Sequence, residues 1–236
     1  MHLSLIIPAY NEENRITKTL NQAKKYLESQ NYAYEIIVVN DGSTDKTSDI
    51  IKTNFPEVRI ISLEKNRGKG CAVKTGMKSA IGEYRVFYDA DASTPIEELE
   101  NIWPKFKNGA DIVIGSRALP ESSIELHQPF YREIMGKTFN VFVRLFALKD
   151  FPDTQCGFKG FTSRASEIVF PKQTLKRFSF DAEILYIGKK HNLTIEQVPV
   201  RWINSPATKV NALTDSTKML LDLITIKLKD LIGKYN

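Results

Sequence analysis

Two carboxylates stand one residue apart in Asp89-Ala-Asp91, directly after the apolar run Tyr84-Arg-Val-Phe-Tyr88. Strict strand alternation would send such a pair to opposite faces of a sheet. At a strand-to-loop turn, one acid can accept from a sugar or ribose hydroxyl while the other ligates a hard divalent cation, Mg²⁺ or Mn²⁺. A cation held there would offset the charge of a nucleotide diphosphate and stabilise it as a leaving group. A solvated turn closed by an Asx hydrogen bond is the plainer account of the same residues. Further acids follow other apolar runs. Asp41 ends Glu35-Ile-Ile-Val-Val39 within Asn40-Asp-Gly-Ser-Thr-Asp45, where it can accept from a base or a ribose, or close a capping turn. Glu12 follows Tyr10-Asn11, where a charge near a helix N-terminus is an alternative account.

Cationic side chains complete the set. Arg117 follows Asp111-Ile-Val-Ile-Gly115, and Arg132 opens a strongly apolar segment. Guanidinium groups bind phosphate oxygens bidentately, although a single arginine also serves as a surface ion pair. A phosphate acceptor is already ionised at neutral pH. It needs no general base, only cations that relieve its repulsion from a second phosphate. Asp181 and Glu183, in Phe180-Asp-Ala-Glu183, fit either the acceptor side of such a site or the first turn of a helix.

These residues need elements to hold them. Leu3–Ile7, Glu35–Val39, Val58–Leu63, Tyr84–Tyr88 and Asp111–Gly115 are short apolar runs of the kind that become buried strands. Between them, Glu12–Ser29, Thr44–Asn54, Cys71–Ala80 and Pro95–Lys107 have helical spacing, with Thr44 or Asp45 as a cap and Pro95 at a first turn. Strand and helix alternate over the first half, which predicts an α/β fold with a mostly parallel central sheet flanked by crossover helices. Ligands in such sheets sit at the carboxyl ends of the strands. Tyr10 to Glu12, Asp41, Asp89, Asp91 and Arg117 all follow strands. The second half is less regular: Arg132–Lys149 and Phe180–His191 read as helices, Thr194–Trp202 as one strand, and Asp215–Lys234 as an amphipathic helix bearing Lys218, Lys227, Lys229 and Lys234.

The 236 residues suit one large domain with a real core. The formal net charge of +5 fits a surface that meets phosphate or anionic lipid, or a soluble basic protein. Cys71 and Cys156 are too few for a disulfide framework or a thiolate metal site, and point to a reducing compartment. The start Met1-His-Leu-Ser-Leu-Ile-Ile-Pro8 does not read as a signal peptide, and no run reaches the ~18 apolar residues of a membrane span. No G-x-G-x-x-G follows the first strand, which disfavours a nicotinamide dehydrogenase, and no nucleic-acid-binding motif is present.

Five segments occur in a fixed order: Ile7-Pro-Ala-Tyr-Asn-Glu12, Val39-Asn-Asp-Gly-Ser-Thr-Asp45, Asn66-Arg-Gly-Lys-Gly70, Asp89-Ala-Asp91 and Gly115-Ser-Arg117. This ordered set resembles the signatures of family 2 glycosyltransferases with the GT-A fold. Asp153-Thr-Gln-Cys-Gly-Phe158 and Val198-Pro-Val-Arg-Trp202 extend the likeness toward dolichyl-phosphate glucose and mannose synthases and their bacterial polyprenyl-phosphate relatives, most of all the glucosyltransferase branch.

The resemblance implies a single Rossmann-like GT-A domain over residues 1–213, with a nucleotide-sugar half (1–117) and an acceptor half (118–213). A C-terminal amphipathic helix, 214–236, would lie at a membrane interface or pack on its own domain or a partner subunit. The implied nucleotide-sugar site comprises Pro8, Tyr10, Glu12, Val39, Asp41, Lys69, Asp89, Ala90 and Lys209. Asp89 and Asp91 are the implied metal site for Mg²⁺ or Mn²⁺, with Asp91 the closer ligand. Asp89, Asp91, Arg117 and Arg132 are the implied catalytic groups. Arg117, Arg132 and Gly136 would meet the acceptor. The implied reaction moves a hexose, with inversion, from UDP-glucose or next GDP-mannose to a polyprenyl or dolichyl phosphate. It would occur at the cytoplasmic face of a membrane, by a peripheral protein. A family 2 enzyme acting on a sugar hydroxyl is the alternative, with Asp181 or Glu183 as base. Two positions depart from the pattern. Ser93 stands where mannose-type synthases often carry a metal-binding Gln, and no Arg accompanies Lys209 in its loop.

Overall fold

A computed structural model describes residues 1–126, 148–203 and 212–236. The first half runs β1 (Leu3–Ala9), α1 (Ile16–Glu28), β2 (Tyr34–Asn40), α2 (Thr47–Asn54), β3 (Arg59–Ser62), α3 (Lys69–Ser79) and β4 (Tyr84–Tyr88). A 3-10 turn, Ile96–Glu98, leads into α4 (Leu99–Lys107), and β5 (Ile112–Ser116) follows. The second half adds β6 (Ser123–Leu126), β7 (Phe158–Thr162), α5 (Ser163–Lys172), α6 (Phe180–Lys190), β8 (Ile195–Pro199), β9 (Arg201–Ile203) and α7 (Ala212–Leu231). The predicted helix at 132–149 lies almost wholly outside the described residues.

Seven strands form the central sheet in the order β3-β2-β1-β4-β7-β5-β8, and β6 and β9 form a separate parallel pair. All pairings in the large sheet are parallel except those of β7, which runs antiparallel between β4 and β5. Alternate side chains of the strands feed two cores. Ile6, Ile37, Val39, Phe87 and Ile114 pack under α3, α5, α6 and α7. Leu5, Ile7, Val38, Val86 and Val113 pack under α1, α2 and α4. Strands buried on both faces are continuous apolar runs, and β1 is buried along its whole length.

The structure departs from the sequence reading in several places. Helix α1 begins at Ile16 rather than near Glu12, because residues 12–15 form a turn in which the Glu12 carbonyl accepts from the N–H groups of Arg15 and Ile16. The predicted strand Thr194–Trp202 is two strands in different sheets. Strand β7 and helix α5 were not foreseen. Phe158-Lys-Gly-Phe-Thr162 lacks clean alternation, and its lysine suggests exposure, yet Lys159 is fully buried. Because β7 comes from the second half of the chain and sits inside the sheet of the first, residues 1–117 and 118–213 share one sheet. Helix α7 is also part of the main body: Met219, Leu223 and Ile226 join the core, as does Tyr235.

Candidate active site

The strand order reverses beside β1: β2 and β3 lie on one side of it and β4 on the other. A crevice opens at the carboxyl end of such a switch point. Asp89, Ala90 and Asp91 leave β4 there, next to Tyr10, Asn11 and Glu12 leaving β1, and Asp41 leaving β2. The loops are tied together. The Asn11 N–H donates to Ser43 Oγ (2.9 Å), and Asn11 Oδ1 accepts from the Thr44 N–H (2.8 Å). Asn11 takes a left-handed φ of 52°, which asparagine tolerates better than most residues.

Asp41 is 2% exposed, and its two oxygens accept from the N–H groups of Arg67 and Gly68, both at 2.8 Å. The carboxylate therefore fixes the loop that leads into α3. Gly68 makes the connection possible with a φ of 100°, in the region that favours glycine. Lys69, the first residue of α3, is placed by this arrangement. Its Nζ meets both Asp89 oxygens, at 2.6 and 2.9 Å. Burial would lower the Lys69 pKa, but the carboxylates of Asp89, Asp181 and Asp91 outweigh burial and raise it. Burial raises that of Asp89, Asp91 and Asp181 add to the rise, and Lys69 opposes it.

The Asp89-Ala-Asp91 turn is held on every side. The Ala90 carbonyl accepts from Thr19 Oγ1 of α1 (2.6 Å), and the Asp89 N–H donates to the Gly157 carbonyl (3.1 Å). A Cβ on Gly157 would stand 1.8 Å from Asp89 Oδ2, so only glycine lets β7 begin against that carboxylate. Asp91 Oδ1 accepts from the Ser93 N–H (3.0 Å), the Asx bond anticipated for a turn. Asp91 Oδ2 takes no hydrogen bond among the described residues. Ala92 adopts a left-handed φ of 52°, a conformation that costs roughly 1–2 kcal/mol for an L-residue and is maintained by these surrounding bonds. No cluster of three or more metal-binding side chains occurs among the described residues. The Asp89–Asp91 pair instead suits a Mg²⁺-like ion, which takes one or two carboxylates and completes its shell with substrate phosphate and water.

Arg117 leaves β5 on the same edge. Its Nε and Nη2 donate to Asp153 Oδ2 and Oδ1 at 2.7 and 2.9 Å, its backbone N–H adds a third bond at 2.9 Å, and its guanidinium lies 5.4 Å from the Trp202 ring centre. Burial would raise the Asp153 pKa, but the guanidinium outweighs burial and holds it at about 2. Asp153 thus orients Arg117, a role that the Asp153–Phe158 motif did not reveal. Lys159 donates to Asp181 Oδ1 and to the Cys156 carbonyl, both at 2.5 Å, in a fully enclosed pair beneath the site.

Other predicted residues fall into place less directly. Pro8 and Val39 pair across β1 and β2, Val39 also pairs with Ile61 of β3, and its side chain points into the core. Tyr10 is half-buried at the end of β1. The Glu12 carboxylate receives Arg15 bidentately at 2.7 and 2.8 Å. Glu183 does not line an open site. It is fully buried, accepting from the Thr174 and Leu175 N–H groups and from the hydroxyls of Thr174 and Tyr235. Arg132, Gly136 and Lys209 lie outside the described residues. The segment carrying Lys209 departs from Ile203, whose N–H donates to the Ser93 carbonyl at 2.7 Å, two residues from Asp91. A groove of about 550 Å³ lined by Arg67, Lys74, Lys78 and Lys176 runs along α3 instead. It contains none of the Asp89, Asp91 or Arg117 groups.

Residues 4–167 match the family described as glycosyl transferase family 2. The chain is 36% identical to the dolichyl-phosphate beta-glucosyltransferase of Dictyostelium discoideum, over 99% of this chain and 76% of the relative. It is 34% identical to the enzyme of the same description from Homo sapiens, over 99% of this chain and 77% of the relative. Among solved structures, glucosyl-3-phosphoglycerate synthase from Mycobacterium tuberculosis, in complex with Mn²⁺, UDP and glucosyl-3-phosphoglycerate, superposes with a TM-score of 0.69 at 19% identity. That match covers 97% of this chain and 79% of the other, and it establishes a shared fold.

Proposed function

This chain belongs to glycosyl transferase family 2 and is a glycosyltransferase, and from that premise we propose that it transfers glucose from UDP-glucose to a dolichyl or other polyprenyl phosphate. The observation that carries the choice of acceptor is the state of the carboxylates. A hydroxyl acceptor needs a base, and the two candidates for one, Asp181 and Glu183, are enclosed at 3% and 0% exposure with their oxygens engaged by Lys159, Thr174, Leu175 and Tyr235. An ionised phosphate needs no base. It needs oriented donors, and the edge offers Arg117 held rigidly by Asp153. The relatives' descriptions name dolichyl phosphate and a beta-glucosyl product, which supports the same reading.

In this mechanism Asp91, with Asp89, would hold a divalent cation, which would supply positive charge to offset that of the departing diphosphate. Lys69 supplies an ammonium beside the same oxygens, and Arg117 directs N–H donors at phosphate. Arg132 and Lys209 are assigned to the acceptor phosphate and the donor diphosphate, and Gly136 to the acceptor side. The phosphate oxygen attacks the anomeric carbon from the face opposite the diphosphate, with inversion.

No helix among the described residues is long and apolar enough to cross a membrane. Helix α7 nevertheless exposes Leu221, Ile224, Leu228 and Leu231 along one side, with Ile232 just beyond it, while Met219, Leu223 and Ile226 face the core. Lys218 is exposed within the helix, just before Leu221, and Lys234 beyond its end. This apolar ridge with flanking charge suits the interface of an anionic bilayer, and it supports a peripheral association with the cytoplasmic face as part of the proposal. The deciding assay offers the purified protein UDP-glucose or GDP-mannose, with Mg²⁺ or Mn²⁺, against polyprenyl phosphate or soluble sugars in detergent. Glucosyl transfer to the lipid phosphate is expected, and transfer to a sugar hydroxyl alone would overturn the reading.

A further inference from the structure

We propose that Lys69 is an internal counter-ion that occupies Asp89 in place of the divalent cation until the nucleotide arrives, so that metal and nucleotide bind only together. The inference rests on the reading of the site as a metal-dependent nucleotide-sugar site, and it goes beyond that reading by assigning the order in which the site fills.

Three observations carry it. The first is occupancy. Lys69 Nζ spans both Asp89 oxygens, at 2.6 and 2.9 Å, so a cation cannot take Asp89 without displacing an ammonium. The second is the asymmetry of movement. Asp89 is backed by the Gly157 backbone, which stands directly behind its carboxylate and receives its N–H. Lys69 can swing away. Its α-carbon is fixed by the Asp41 contacts to Arg67 and Gly68, but its four-carbon stem is free to rotate, and its side chain is 22% exposed. The third is charge. Asp89, Asp91 and Asp181 face Lys69 and Lys159, three carboxylates against two ammonium groups. Adding a lone divalent cation reverses the sign of that balance. A nucleotide diphosphate sugar brings about one negative charge per phosphate. The metal–nucleotide pair therefore enters nearly neutral, and its oxygens give the displaced ammonium a new partner. Asp91 Oδ2, which has no hydrogen bond among the described residues, supplies the ligand at which exchange begins.

The test is binding of Mn²⁺ to the full chain, read by the loss of free-ion EPR signal, with and without UDP. In the wild type, UDP should tighten Mn²⁺ binding by about tenfold or more, a typical coupling between linked sites. Lys69→Met should bind Mn²⁺ without UDP about tenfold more tightly than wild type, and its response to UDP should shrink correspondingly. Lys69→Arg, which keeps the charge, should stay near the wild-type value. The proposal is overturned by equal Mn²⁺ affinity of the wild type with and without UDP, by a Lys69→Met variant that binds no tighter, or by an equal gain in Lys69→Arg. The first of these is measured on unmodified protein and stands whatever the variants do to folding. Glucosyl transfer by the wild type is scored separately, so a failed handover leaves the transferase reading intact, and a wrong acceptor leaves the handover intact.

Discussion

Two lysine–aspartate pairs lie behind the carboxyl edge of the sheet, Lys69–Asp89 and Lys159–Asp181, near enough that Asp181 raises the pKa of both Lys69 and Asp89. Their side chains are 22% and 30% exposed in the first pair, 0% and 5% in the second. Both join the same chemical groups, yet only the open pair is exchangeable. A ligand that brings its own charges can replace one partner at the surface. In the interior, no water or ligand compensates the partner left behind. Burial thus separates a pair that a ligand can reach from one that holds β7 against α6.

The closed pair is tested most severely by removal of Asp181. Asp181→Ala leaves the Lys159 ammonium enclosed beside the Phe87 ring, and should cost about 3–5 kcal/mol of stability in chemical denaturation. A cost under about 1 kcal/mol would mean that the pair is not sealed. Asp91→Ala tests the open side. It should reduce glucosyl transfer by roughly 10²–10³-fold while the melting temperature changes little, since the half-buried side chain gives up one Asx hydrogen bond to the Ser93 N–H and no ion pair. Transfer at the wild-type rate in limiting metal would remove Asp91 from the mechanism.

Gly157→Ala probes the boundary between the two pairs. The new methyl must push Asp89 aside, and we expect about a 10- to 100-fold loss of kcat/KM, because small misplacements of reacting groups are costly. The Arg117–Asp153 pair is intermediate in burial and gives a pH signature. Its Asp153 carboxyl titrates at about 2, below the ordinary carboxylate range, so its contribution of about 2 kcal/mol is complete above the unfolded pKa near 4 and is lost as pH falls through about 2. Acid unfolding of Asp153→Asn should lack that component. The smallest effect is expected at α7, where Leu228→Ser with Leu231→Ser should weaken co-sedimentation with anionic vesicles by about 1–2 kcal/mol and leave the fold unchanged, because both side chains are exposed.

Much of the site could be read from the chain before folding. Asp41, Asp89, Asp91 and Arg117 each follow an apolar run, and in an alternating α/β sequence such runs end on one edge, so their convergence follows from local pattern alone. Lys69 could be placed in a loop near them, but not on Asp89, since that contact depends on Asp41 fixing a segment 26 residues away. Asp153 lay inside a quoted motif without a role, because its partner Arg117 is 36 residues distant and no spacing rule links them. Glu183 looked like a helix N-terminal charge open to ligand, and its enclosure came from the 174–175 loop and Tyr235 folding over it.

What the sequence determined by itself is the layered α/β plan: periodicity is a local property, and each strand or helix carries its own record of which faces are buried. What only the tertiary structure decided is the insertion of β7 between β4 and β5, and with it the glycine wall behind Asp89 and the buried lysine beneath. Those depend on pairing between segments about 70 residues apart, as in Val86 with Gly160. The interactions responsible, antiparallel backbone hydrogen bonds and a desolvated ion pair, leave no periodic trace in either segment.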